Sequence, residues 1–242
     1  MARWKDFIKR SFRSFGLEVH RYTPIISPAA QLVSSLRKFN IDLVFDVGAN
    51  QGQFASEIRA HGYTGYILSF EPLSKAHAEL LRVSNADARW EVFPQCALGD
   101  AEGEVEINIA GNSASSSLLP MLDSHLAAAP FTAYVGKETV LLRTLDSVAA
   151  DYISRFKNPF LKIDTQGFEW EVLNGAQNVL RHARGVVLEL SLIPLYEGQH
   201  LWEELIERLK KEGFSLWAIQ PEFVDPRDGR TLQVNGVFYR EP

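Results

Sequence analysis

The sequence is nearly without cysteine. Its single thiol, Cys96, cannot form a disulfide within the chain, and no zinc site can be built on several thiolates. Long apolar runs are also missing. No stretch reaches the roughly 18 apolar residues that a membrane-spanning helix needs. Excess positive charge is absent, with 25 Lys and Arg against 30 Asp and Glu. A general nucleic-acid binder presents a basic surface, so no nucleic-acid partner is expected. What is present suits a globule: hydrophobic residues make up 46% and charged residues 23% of 242, with 15 Phe and five Trp to fill a core. That composition excludes a disordered, collagen-like or low-complexity chain. No internal repeat or long linker breaks the sequence, which reads as one domain.

The charge is unevenly placed. Residues 1–21 hold six cations (Arg3, Lys5, Lys9, Arg10, Arg13, Arg21) against Asp6 and Glu18, a net of +4 on a chain of net −5. The other 221 residues therefore carry −9. Trp4, Phe7, Ile8, Ser11, Phe12 and Phe15 fall at helical spacing, with the cations mostly elsewhere on the wheel. Charges interrupt this segment, so it does not read as a secretory signal. Two readings stay open: a peripheral membrane anchor, or a helix packed on its own domain or on a second subunit of a homodimer. Residues 1–40 are treated as a basic amphipathic helical extension to a domain over 41–242. The location expected is cytoplasmic, with membrane-peripheral attachment if the anchor reading holds.

Thr23 to Pro28 reads as an extended connection and Ala29 to Phe39 as a short helix. From Ile41 the pattern alternates strand, turn and helix. Strands are expected at 41–46, 65–70, 90–93, 160–164, 186–192, 214–219 and 234–239, and a half-exposed one around Val105, Ile107 and Ile109. A single helix is expected to carry Val172, Leu173, Ala176, Val179 and Leu180. Residues 118–140 have no clear assignment, and Thr144 opens a short helix. Repeated βα units imply a mostly parallel sheet with helices on both faces. The last two strands have only the turn Asp225–Gly229 between them, so they should form a hairpin that adds one antiparallel strand.

Ligands of such sheets bind beyond the carboxyl ends of the strands, near the point where strand order reverses. The first strand ends in Asp46-Val-Gly48-Ala-Asn50-Gln-Gly52-Gln-Phe54. This is not the dinucleotide fingerprint: Asn50 and Gln53 stand where its second and third glycines belong. The turn suits a ligand without phosphates. Asp46 could accept hydrogen bonds from a ligand ammonium, and the glycines leave room for a thioether chain. The second strand ends in Phe70-Glu71-Pro72, and an acid at that tip typically binds ribose hydroxyls. A nucleoside with an amino-acid tail fits both acids, and S-adenosylmethionine is such a molecule. The turn Gln95-Cys96-Ala97-Leu98-Gly99-Asp100 could edge an adenine ring, although a lone cysteine is more often a small buried hydrophobe.

These residues resemble the FkbM family of S-adenosylmethionine-dependent methyltransferases. The resemblance rests on Val44–Gly52, Phe70–Pro72, Ala97–Asp100, the serine run Ser113 to Ser117 and Thr144–Asp146. It continues through Leu161–Glu169, Asn174–Ala176 and Leu195–Gly198, in the family's order. It implies a Rossmann-like class I methyltransferase fold, α/β, with a seven-stranded sheet whose last strand is antiparallel. It also implies methyl transfer to a hydroxyl of a small molecule or glycoconjugate: a sugar, a glycolipid or a polyketide-like natural product. On this reading Asp46, Gly48, Asn50, Gly52, Phe54 and Glu71 hold S-adenosylmethionine. Pro72, Cys96, Ala97 and Ser117 complete the cofactor's surroundings.

An alcohol is a weak nucleophile, so a base or a metal ion should assist. Asp164 ends the strand beside the first and is the leading candidate for the acceptor side. Glu189 lies between Leu188 and Leu190, where a carboxylate needs a partner or a raised pKa. His125 could act as a base near neutral pH, or be an exposed helical histidine. His200 is a weaker candidate. Glu169 reads equally as a site residue or as a helix N-terminal acid. No metal is expected, since H-x-x-H and D-x-D spacings are missing. The serine run is a candidate lid or cofactor contact. Two alternatives remain: a non-catalytic scaffold of the same fold recruited to membranes, and an NAD(P)-dependent oxidoreductase.

Overall fold

The computed structural model describes residues 3–19, 23, 24 and 27–241, with side chains from Ile8 onward. Part of the expected connection at Thr23–Pro28, and the side chains of Trp4 and Phe7, lie outside these residues. Helix α1 (Arg3–Arg13) and α2 (Pro28–Lys38) come first. α2 starts where the sequence signals it: the Ser27 side chain accepts from Ala30 N, and Pro28 fills the first turn. The alternation then runs β1 (Leu43–Val47), α3 (Gln53–Ala60), β2 (Tyr66–Phe70), α4 (Ser74–Ser84), β3 (Trp90–Val92). A second set follows: β4 (Ala97–Leu98), β5 (Gly103–Ala110), α5 (Asp123–Ala128), β6 (Tyr134–Arg143). The chain closes with α6 (Leu145–Arg155), β7 (Pro159–Ile163), α7 (Glu169–Asn174), α8 (Gln177–His182), β8 (Gly185–Ser191), α9 (Trp202–Lys211), β9 (Ser215–Val224) and β10 (Thr231–Tyr239).

The main sheet has seven strands in the order β3-β2-β1-β7-β8-β10-β9, and β10 runs antiparallel to both its neighbours. This is the Rossmann-like methyltransferase sheet that the resemblance implies. Strand order reverses between β1 and β7, so a crevice opens there, at the carboxyl ends of the strands. Alternate residues of each strand feed opposite cores. Phe45, Val47, Leu161, Ile163 and Leu188 pack under α6, α7, α8 and α9. Val44, Phe160 and Val187 pack with Leu32, Leu36, Ala55 and Ile58 of α2 and α3. Residues 28–39 therefore belong to the body of the domain.

Two features depart from the sequence expectation. The first is a separate three-stranded sheet, β4-β6-β5. β6 comes from the unassigned stretch, where Gly136-Lys-Glu-Thr139 interrupts the apolar alternation and hides the strand. It pairs antiparallel with β5 from Gly103↔Leu142 to Ala110↔Tyr134. Ile107, Val140 and Leu142 of this sheet pack with Leu73 and Ala76 beside the crevice.

The second is that the single helix expected through Val172–Leu180 is two, α7 and α8, broken at Gly175-Ala176. Gly175 sits against the Gly99 carbonyl so closely that a Cβ would lie 1.8 Å from that oxygen. The freed amides of α8 are capped from α6, where Asp146 accepts from Asn178 N at 2.7 Å and Val179 N at 2.9 Å. Both atoms at the Gly175 contact are backbone, so neither can swing away. Gly175→Ala should therefore cost about 3 kcal/mol of stability. Urea unfolding should show a lower midpoint with an unchanged slope.

Candidate functional site

The crevice is built by two backbone approaches. β1 runs into Gly48 at φ +73, and a Cβ there would lie 1.8 Å from the Asp164 carbonyl oxygen. Only glycine satisfies both the left-handed conformation and that contact. The tips of β1 and β7 thus meet, and Asp164 N donates to Val47 O at 3.2 Å. The turn is tied to β2 as well, since Gly48 N and Ala49 N both donate to Phe70 O. Glu71, one residue on, accepts from Asn50 N at 2.8 Å and from Leu73 N at 2.9 Å. Burial pushes its carboxyl up to about 7 despite these two donors.

Beneath the turn lies a buried ion pair. Asp46 of β1 and Lys162 of β7 face each other in register. Lys162 Nζ is 3.1 Å from Asp46 Oδ1 and 3.8 Å from Asp164 Oδ2. It also donates to Val47 O at 3.1 Å and Gly48 O at 2.7 Å. Burial alone would push this ammonium's pKa down, but Asp46 and Asp164 more than reverse it and hold it up. Ser69 Oγ donates to Asp46 Oδ2 at 3.0 Å, and Trp90 Nε1 donates to Ser69.

A cleft of about 250 Å³ occupies the crevice. Gly48, Asn50, Phe54, Glu71, Pro72, Cys96 and Ala97 line it, as the sequence expectation has them. Three expected residues do not. Asp46 is fully buried below the floor, and the ammonium it meets is the chain's own Lys162. Gly52 starts α3 in a left-handed conformation, pressed against the Trp90 indole. Ser117 turns inward and donates to Gln166 O at 2.6 Å. Its neighbours Ser113 and Ser116 line the cleft instead, and Ser113 Oγ lies 3.2 Å from Asn50 Nδ2. Burial pushes the Cys96 thiol up to about 12, so it is a wall and not a nucleophile.

Of the acceptor-side candidates, Asp164 alone reaches the cleft, with its side chain 40% exposed. Gln166 Nε2 donates to Asp164 Oδ1 at 2.8 Å and to Glu189 Oε2 at 2.9 Å, while its carbonyl accepts from the Tyr196 hydroxyl at 2.8 Å. Glu189 is thus behind Gln166 and outside the lining. Burial, with Asp164, Glu169 and Glu222 nearby, pushes its carboxyl well above the usual range. His125 contradicts both readings made of it. It is neither exposed nor at the cleft, but buried against Tyr196 and Phe223 with ring centroids at 5.3 Å. Burial pushes it down to about 4, so it is neutral at physiological pH. Glu169 accepts from Thr165 N at 2.9 Å and Gly167 N at 3.2 Å, which pins the loop after β7. His200 stacks on Trp170, 3.2 Å from Glu204, away from the cleft.

Among the lining residues that escaped the sequence reading, three carry polar chemistry at the β7 side: Lys162, Gln166 and Glu222. Lys162 had a signal, a charge between Leu161 and Ile163 in a buried strand, the same pattern that marked Glu189. Gln166, at φ +54, and Glu222, on the distant β9, had none. Among the described residues no cluster of His, Cys, Asp and Glu could hold a metal ion.

Comparison with known proteins places the chain in a family. The family model of the methyltransferase FkbM domain matches residues 46–216. A 2-O-methyltransferase, NoeI of Sinorhizobium fredii, is 23% identical over 224 residues, covering 90% of each chain. Among solved structures, magnesium protoporphyrin IX methyltransferase from Synechocystis PCC 6803 with bound SAM aligns at TM-score 0.47 and 11% identity, over 98% of this chain and 97% of its own. TehB from Haemophilus influenzae aligns at TM-score 0.46 and 10% identity, over 88% and 62%. At that similarity neither structure bears on the chemistry of this chain.

Removing the cation should be severe. Lys162→Met leaves Asp46 buried and uncompensated, and should cost roughly 3–5 kcal/mol in denaturant unfolding. A pH series tests the buried acids. Burial pushes Glu169 up to about 7, above the ordinary value of 4.5. The native state therefore holds a proton that the unfolded chain releases. The resulting stability is full below about 4.5 and lost as pH rises through about 7. Glu169→Gln keeps the backbone hydrogen bonds and should flatten stability across that window.

Proposed function

The chain belongs to the FkbM methyltransferase family, and from that premise we propose that it methylates a hydroxyl oxygen with S-adenosylmethionine as donor. The acceptor is a sugar, a glycolipid or a polyketide-like natural product. The observation that carries the reading is Glu71, held by two backbone amides at the tip of β2 over the glycine turn. Each of its oxygens accepts one protein hydrogen and keeps a lone pair for a ligand. Two adjacent ribose hydroxyls match that pair of acceptors.

The rest of the lining suits the same molecule. Cys96, Ala97, Ile107 and Leu118 supply an apolar wall for a flat base. Lys162 is the one cation of the lining among the described residues, and it is committed to Asp46 and two carbonyls. No cation is thus left to neutralise a pyrophosphate, which disfavours a nicotinamide dinucleotide. S-adenosylmethionine supplies a methyl carbon made electrophilic by a positive sulfur.

Asp164 faces the cleft with one oxygen held by Gln166, so its carboxylate is oriented toward an acceptor hydroxyl. It accepts the hydroxyl hydrogen, directs an oxygen lone pair into the cleft, and takes up the proton as the alcohol becomes an ether. Gln166 and the loop pinned by Glu169 keep that oxygen in place.

The test pairs binding with turnover. S-adenosylhomocysteine at about 100 times its dissociation constant should stabilise the protein by about 2.7 kcal/mol, a melting shift of a few degrees. Its affinity should rise as pH passes about 7 and Glu71 ionises. In Glu71→Gln both the affinity and the pH dependence should fall. Asp164→Asn should bind S-adenosylhomocysteine as wild type does, yet lose roughly 100-fold or more in labelled-methyl transfer to a panel of glycosides. A melting shift with NADH alone would replace this reading with an oxidoreductase.

A further inference from the structure

We propose that α1 and the segment after it attach the enzyme to anionic lipid bilayers. The surface is marked by exposed apolar side chains standing among cations. Phe12, Phe15, Leu17 and Val19 are 42%, 80%, 56% and 39% exposed, a run of large apolar side chains that packing leaves in water. Large apolar side chains are also exposed on the domain, among them Phe131, Val135 and Ile219, while most of the others fill the two cores that flank the sheet. Lone exposed apolar residues are ordinary, but four within eight positions form a patch.

Charge selects the occupant. Lys9, Arg10 and Arg13 are exposed on the same stretch. At helical spacing Arg10 lies across the helix from Ile8 and Phe12, Lys9 and Arg13 flank that apolar face on one side, and Phe15 follows in the turn. Arg13 meets Glu18 at 2.9 Å, in a pair so exposed that it competes weakly with other partners. Aromatic side chains flanked by cations suit the boundary of a bilayer: the rings enter the acyl region and the cations stay among anionic headgroups. The sign of the rest of the chain agrees. Residues 1–21 carry +4 and the other 221 carry −9, so an anionic surface attracts the segment and repels the body. Contact is thereby confined to one short element. The apolar run also continues beyond the last helical residue, through Leu17 and Val19. A membrane accepts such an irregular string, whereas a second protein surface would need a matching groove.

The test is flotation of the full chain with vesicles of phosphatidylcholine alone, or with about a third phosphatidylglycerol replacing it. Binding should require the anionic lipid and weaken as salt rises. Phe12→Ser with Phe15→Ser should weaken it by about tenfold or more, and so should Lys9→Glu with Arg10→Glu. These residues touch neither core nor cleft, so the melting temperature and the response to S-adenosylhomocysteine should stay at wild-type values in both variants. Equal binding to neutral and anionic vesicles, or wild-type binding by both variants, overturns the proposal. So does a dimer in lipid-free sedimentation that Phe12→Ser with Phe15→Ser converts to monomer, since a second copy then covers the patch.

Discussion

The buried pair between Asp46 and Lys162 is the contact from which the site is organised. It spans β1 and β7, the two strands between which the order of the sheet reverses, and so sits under the place where the topology opens a crevice. A single bare ion pair there would be a poor investment, since desolvating two charges costs more than their attraction returns unless further hydrogen bonds complete the shells. They do. Lys162 donates to the carbonyls of Val47 and Gly48, and Ser69 donates to Asp46. The ammonium therefore serves as a fastener for the backbone of the glycine turn. Because that turn is also hydrogen-bonded to Phe70 O, it fixes the position of Glu71. A chain of direct contacts runs from one buried cation to the Glu71 carboxylate that lines the cleft.

The same cation organises the neighbouring acids. Asp164, Glu169, Glu189 and Glu222 surround the end of β7 and the loop after it, and one ammonium cannot balance them all. Burial raises the pKa of those it covers, Glu169 up to about 7 and Glu189 well above the usual carboxylate range. Asp164 stands partly in solvent, 3.8 Å from Lys162. The division of labour among these carboxylates follows from depth alone. The deep ones hold loops and the Gln166 amide, and the shallow one faces the cleft.

How much of this was legible depends on whether the signal was local. The βα alternation and the final hairpin follow from apolar runs and turn chemistry, and the main sheet matches them. The cleft lining was legible at Gly48, Asn50 and Glu71, because a strand tip followed by a glycine turn leaves few places for a side chain to go. Asp46 shows the limit of that reasoning. Its position in the sequence matched a ligand-binding acid, but strand alternation puts it below the floor, and only the register with Lys162 reveals why. His125 fails for a related reason. Nothing near it in sequence announces Tyr196 and Phe223, which enclose it. The break at Gly175 was invisible because apolar spacing continues across it, and the contact with Gly99 that demands it is tertiary. Gln166 is the hardest case: a neutral residue in a turn carries no charge that asks for a partner, yet it joins Asp164, Glu189 and Tyr196.

The second sheet makes the cleft unequal at its two ends. On the β2 side, Ile107 and Leu118 bring an apolar roof over the tips of the strands. On the β7 side the walls are Asp164, Gln166 and Glu222, and the sole cation is spent in the floor. One end thus favours a flat, weakly polar group, and the other favours donors of hydrogen bonds over acceptors. An anionic group at the second end would meet carboxylates with no free counter-charge, a penalty that hydroxyls and ammonium groups avoid. The two ends have different origins in the chain. The apolar end is shaped by β4, β5 and β6, inserted between β3 and β7. The acidic end takes Asp164 and Gln166 from the β7 loop and Glu222 from the closing hairpin. Asp164 and Gln166 are tied to the Lys162 fastener through the loop that begins at its strand. Glu222 rides on β9 at the sheet's edge, within electrostatic reach of Lys162, so the closing hairpin adds an acid to this end of the cleft from outside the β7 loop.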